Sequence, residues 1–154
     1  MNAFFHRMRS LVAGSSLHLV LLTVLVIAGA WKLTLGDRII ARGDLLLYFY
    51  PLRDYASQAI RAGRLPLWNP YTFMGSPFLA NSQAGFFYPL NIAMAWLPVE
   101  RAVAWSIALH LLIAALGAFA LARNGFAMSR LASFATAIAF GLAIAAFWVD
   151  GTCL

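Results

Sequence analysis

The chain has 154 residues, 63% of them hydrophobic and 10% charged, with a mean hydropathy of +0.81. A soluble domain carries about 25% charged residues, so this composition excludes a soluble globular enzyme, and its apolarity excludes intrinsic disorder. Eleven Lys and Arg against five Asp and Glu give a net charge of +6; the basic residues sit between apolar blocks, which points to lipid head groups or anionic ligands rather than nucleic acid.

Residues 1–10 read as a cytoplasmic tail carrying Arg7 and Arg9. The uncharged stretch 11–31 is long enough for a first transmembrane helix, since 1.5 Å per residue gives about 30 Å. Ala28-Gly29-Ala30 resembles a signal cleavage site, but the run exceeds a typical signal core and Trp31 suits an interface anchor. It therefore reads as an uncleaved anchor. Residues 32–101 form a long loop containing all six prolines, all five tyrosines and four of the five acidic residues. That is no flexible tether, which would be rich in Gly, Ser, Glu and Lys. An aromatic segment of this kind is expected to lie as a structured layer on the membrane surface.

Within the loop, 51–62 has the pattern of an amphipathic helix. Pro51 suits its first position and Gly63 the residue past its end. Leu52, Tyr55, Ala56, Ala59 and Ile60 share one face; Arg53, Asp54, Ser57, Gln58 and Arg61 share the other. The prolines at 66, 70 and 77 forbid a continuous helix beyond it and predict an ordered, turn-rich stretch. The apolar run 85–98 is short and interrupted by Pro89 and Asn91, so it fits an interfacial segment.

Two further uncharged stretches, 102–122 and 131–149, predict the second and third spans, joined by a turn at 123–130; 150–154 then falls on the external side. Basic residues close to the spans are evenly shared between the two sides. The positive-inside rule weights short segments, so the tail and the 123–130 turn are placed in the cytoplasm and 32–101 outside. In the second span, the stripe Ser106–His110–Ala114–Ala118 predicts that His110 faces another helix, and His18 reads likewise. Ser133–Ala137–Gly141–Ala145 predicts a close-packing seam. The single Cys153 excludes an internal disulfide framework and a cysteine-based metal cluster. No phosphate-binding loop, dinucleotide fingerprint, zinc spacing or nucleophile elbow is present. The expected fold is all-α and integral to the membrane: three transmembrane helices with a long external loop carrying membrane-surface helices.

The string from Gly43 to Pro98, GDLLLYFYPLRDY followed by RAGRLPLWNPYTFMGSPFLANSQAGFFYPLN, closely resembles the start of the YfhO-type bacterial membrane proteins. That family is related to the polytopic, GT-C-like glycosyltransferases that use lipid-phosphate-linked sugars. The resemblance implies a multi-pass protein of the bacterial cytoplasmic (inner) membrane. Its first external loop would hold an acidic catalytic residue, and its sugar donor would be linked to polyprenyl phosphate. The matching acid is Asp44, which in relatives follows the first membrane helix and serves as base on, or positions, the acceptor hydroxyl, sometimes with a divalent metal. A hydroxyl attacking an anomeric carbon needs such a proton acceptor. The alternative is that Asp44 caps the Leu45-Leu46-Leu47 run as a helix start.

Arg53, Arg61 and Arg64 are candidates for the donor's phosphate, because guanidinium binds phosphate oxygens in a bidentate fork; lipid head groups are the competing partner for each. Asp54 reads as a first-turn acid balancing the helix dipole, and Asp37 as a solvated loop residue. Trp68, Asn69, Tyr71, Asn81, Gln83 and Tyr88 suit a sugar site, or equally hold the loop's own turns together. No metal-ligand set is assigned and the cofactor is open.

Members of the family continue through many more membrane helices. The chain is therefore expected to be the N-terminal part of a glycosyltransferase that acts on a cell-envelope acceptor. It would be inactive alone and would need the remaining helices or a partner membrane subunit. The alternative function is a small non-catalytic membrane protein docking a partner enzyme or lipid. A transporter has less support, because no span carries a carboxylate or a proline break.

Overall fold

A computed structural model describes residues 2–36, 39 and 43–149 of the chain. They are mostly helical. Helix α1 spans Asn2–Thr34; a π-helical turn at Leu45–Phe49 runs directly into α2, Tyr50–Arg61. A two-residue hairpin follows, with β1 at Trp68–Asn69 and β2 at Ser76–Pro77, then a 3₁₀ turn at Ser82–Ala84 and a short α3, Pro89–Ala93. Helices α4, Val99–Asn124, and α5, Arg130–Val149, complete the order. Asp37, Arg38 and Arg42, together with Asp150 and Cys153, lie outside the described residues.

The chain divides into two compact units. The first consists of α1 through Trp31, α4 from Ala108 onward, and α5. Its core is Leu22, Ala115, Phe119 and Ala137, flanked by Leu19, Val26, Leu116, Phe134 and Ile138. Ser133 and Ala137 are fully buried, and a Cβ on Gly141 would lie 3.6 Å from the Ala115 Cβ, so these three positions of the small-residue seam of α5 pack as their spacing predicts. His18 meets Phe134 edge-on at 5.5 Å. The expected stripe on α4 is corrected. Its buried face in this unit is Ala108, Ala115, Phe119 and Ala122, while His110 is exposed. Two residues are about 200° on a helix with 3.6 residues per turn, which sets His110 opposite Ala108.

Among the described residues α4 is the one helix long and apolar enough to cross a membrane. Only 28% of its most apolar window is buried, unlike the core helix of a soluble protein. The apolar stretches Ser15–Trp31 of α1 and Arg130–Gly141 of α5 are shorter.

The second unit is built from Lys32–Ile107. The end of α1 is tied to the start of α4 here: Arg101 donates from Nη1 to the carbonyls of Thr34, at 3.2 Å, and of Gly36. Helix α2 starts one residue before its expected bound, with Pro51 in its first turn. It ends in a Schellman motif: the Gly63 N–H donates to the Ile60 carbonyl, the Arg64 N–H to the Ala59 carbonyl, both at 3.0 Å, and Gly63 takes φ +63°. Leu52, Tyr55, Ala56, Phe78 and Ala84 form the core beneath it, with Tyr48 and Phe86 packed alongside. The face expected to be solvated is partly covered. Ser57 is buried and Arg53 half-buried, both in a narrow crevice completed by Asn91, Met94 and Ala102.

Two sequence expectations are refined in this unit. The turn-rich stretch contains the antiparallel hairpin, in register Trp68↔Pro77 and Asn69↔Ser76. The interfacial segment 85–98 holds only the five residues of α3 as α-helix, because Gly85 adopts the left-handed conformation and Pro89 can sit only at the start of a helix.

Candidate ligand-binding groove

Against one flank of α2 the hairpin loop leaves an open groove of about 550 Å³. The π-helical turn contributes Leu47 and Tyr48, α2 contributes Pro51, Leu52, Asp54, Tyr55 and Gln58, and the loop contributes Asn69 and Tyr71 to Phe73. Asp54 and Gln58 are one helical turn apart, and the Gln58 amide donates to Asp54 Oδ2 at 2.7 Å. This pins the carboxylate at the polar part of the groove. Leu47, Tyr71 and Phe73 are exposed on its rim.

The loop wall is shaped by local chemistry. Asn69 is 4% exposed and acts as a bracket: its Oδ1 accepts the Tyr71 N–H at 2.9 Å, and its Nδ2 donates to the Thr72 hydroxyl at 2.9 Å. Such Asx turns are the short-range alternative to helix that asparagine offers. Phe73 and Met74 both hold positive φ, 50° and 62°, which bulky L-residues adopt only under constraint. Gly75, at φ +114°, closes the turn directly beneath the Trp68 indole. The loop is then pinned to α2 by the Tyr55 hydroxyl, which donates to the Trp68 carbonyl at 2.7 Å. Tyr55 also meets Phe78 edge-on at 5.1 Å and Tyr71 at 6.0 Å.

Of the residues proposed from sequence, this geometry gathers Asn69 and Tyr71 in the groove, Tyr71 as an exposed ring and Asn69 as a structural bracket. Trp68 is half exposed beside it, and its ring covers Gly75. The three arginines do not line the groove. Arg53 lines the crevice on another side of α2, where burial lowers its pKa from the usual arginine value and the nearby Tyr88 partly offsets the shift. Arg61 donates from Nη1 to the Ala95 carbonyl at 2.7 Å, and Arg64 lies 5.5 Å from the centre of the Tyr55 ring. Asn81 is a turn residue: its Oδ1 accepts the Gln83 N–H at 3.0 Å and its Nδ2 donates to the Tyr48 hydroxyl at 2.7 Å. Gln83 is exposed, and Tyr88 is the residue preceding α3.

Asp44 is exposed immediately before the π-helical turn, with helical φ and ψ and no side-chain capping bond, so the capping role is not the one it plays. The carboxylate that sequence reasoning passed over is Asp54. Its spacing to Gln58 was legible, but its sharing a groove with Tyr71 and Phe73 depends on the hairpin folding back. Among the described residues no group of three His, Cys, Asp or Glu side chains could hold a metal ion. No family model, curated protein or solved structure matches the chain.

Proposed function

We propose that this chain is the surface module and first membrane helices of a glycosyltransferase-like protein, whose groove receives the sugar of a polyprenyl-phosphate-linked donor. The groove carries this reading: a carboxylate and an amide that can take hydroxyl hydrogen bonds, in a lining that also includes Tyr48, Tyr55, Tyr71 and Phe73, in the segment that bears the family resemblance. Aromatic walls with few fixed polar groups suit a small polar ligand. In this reading α1 and α5 cross the bacterial cytoplasmic membrane with α4, the N-terminus is cytoplasmic, and 32–101 lies on the outer surface with α2 and α3 against the bilayer. Asp44 remains the base on the acceptor hydroxyl that the resemblance implies. Its exposure leaves it open to an acceptor arriving from solution.

The test is retention of ligand in the reconstituted chain. In nanodiscs holding equal amounts of polyprenyl-phosphate hexose and bare polyprenyl phosphate, native mass spectrometry is expected to find the sugar-bearing lipid preferentially bound. Tyr71→Ala should reduce that preference roughly tenfold, the order expected from losing an aromatic stacking partner. Equal retention of both lipids would overturn the reading.

A further inference from the structure

The groove has a charge pattern that a neutral sugar does not require. Asp54 is the one formally charged side chain among the residues that line it, in a chain with a net charge of +6. None of the cations nearest in sequence lines the groove: Arg53 lines the crevice with Ser57 and Asn91, Arg61 donates to the Ala95 carbonyl, and Arg64 lies over the Tyr55 ring. The hydrogen-bond partner of Asp54 is the neutral Gln58 amide, which orients the carboxylate without neutralising it. The same groove is lined by Tyr48, Tyr55, Tyr71 and Phe73, of which Tyr71 and Phe73 are the most exposed. The Arg64 guanidinium at 5.5 Å from the Tyr55 centroid marks that ring as a cation acceptor.

A carboxylate set among aromatic faces is the arrangement that recognises an organic ammonium ion, through Coulomb attraction and the ring quadrupoles together. We infer that the groove binds a ligand whose polar part carries a positively charged ammonium group, held between the Asp54 carboxylate and the rings of Tyr71 and Phe73. This rests on the groove being the ligand site of the proposed function and narrows the class of that ligand. Two sources share the chemistry, an amino sugar with a free amine and a quaternary ammonium head group, and the test separates them.

The full chain in nanodiscs is titrated with small probes, and binding is followed by saturation-transfer NMR. Choline is compared with its neutral isostere 3,3-dimethylbutanol, and glucosamine with N-acetylglucosamine. At least one cation is expected to saturate while its neutral counterpart does not. Asp54→Asn should weaken that cation about tenfold, equivalent to about 1.4 kcal/mol, and Phe73→Ala should weaken it too. Asp54→Glu, which keeps the charge, should restore most of the binding and guards against a mere folding defect. Preference for choline assigns a head group, and preference for glucosamine an amino sugar. Neutral and charged probes binding alike, no saturable cation, or an Asp54→Asn variant with unchanged affinity would each overturn the inference. Failure here with retention of the polyprenyl-phosphate hexose leaves the proposed function intact with an uncharged sugar. Cation binding without that retention does the reverse.

Discussion

At Gly75 the backbone and a side chain compete for one space. With φ at +114° and the Trp68 indole above it, an added Cβ would come 2.7 Å from ring atoms, closer than any real contact tolerates. The ring is rigid and its own carbonyl is held by Tyr55, so it cannot yield cheaply. Gly75→Ala is therefore expected to lower stability by about 1–3 kcal/mol. Gly29→Ala, in a helix with nothing within 4 Å of the new Cβ, should raise it by about 0.5–1 kcal/mol. Thermal unfolding of both variants by circular dichroism in one detergent checks the opposite signs; a neutral Gly75→Ala would mean the turn is not held as described. The same scale shows where sequence reading falls short. The positions of Gly63 and Pro51 were legible because their backbone needs are local. Asp54 was not recognisable as a groove residue, because its surroundings are supplied by residues 69–73. Nor was the covering of Ser57, which comes from Asn91, Met94 and Ala102.

The elements of the loop unit depend on one small core. Helix α2 was readable from its apolar spacing and its end signals, and its bounds shift by only one residue. The hairpin was readable only as turns, since two-residue strands leave no alternation to detect. What joins the two is Phe78, fully buried and edge-on to Tyr55. Removing a buried phenyl ring costs about 3–5 kcal/mol, a large share of the 5–15 kcal/mol typical of a whole domain. Phe78→Ala should therefore release the hairpin from α2, seen as rapid tryptic cleavage after Arg64, whereas Phe78→Leu, which leaves a smaller void, should stay resistant. Cleavage at the parent rate in Phe78→Ala would show that the hairpin is held by something other than this core.

For the molecule as a whole, the membrane character rests on α4. Its composition alone predicted a span, and the structure adds that only 28% of its most apolar window is buried. Leaving apolar surface in water costs about 25 cal/mol per Å², which is the physical argument for a bilayer around α4. If α4 crosses, the loop that leads into Val99 and the turn that follows Asn124 must lie on opposite sides. Ser76 precedes it in the hairpin; Ser129 follows it, in the turn between Arg123 and Arg130. The positive-inside rule places that short basic turn in the cytoplasm. In a Cys153→Ser background, Ser76→Cys should react with an impermeant maleimide on intact cells, while Ser129→Cys should react only after the membrane is opened. Labelling of both from the same side would remove α4 as a span. The side of the membrane assigned to the loop unit would then lose its basis, and with it the route of a membrane-borne donor to the groove. Opposite labelling with Ser76 inside would keep the crossing but turn the groove towards the cytoplasm, against the orientation that the family resemblance implies.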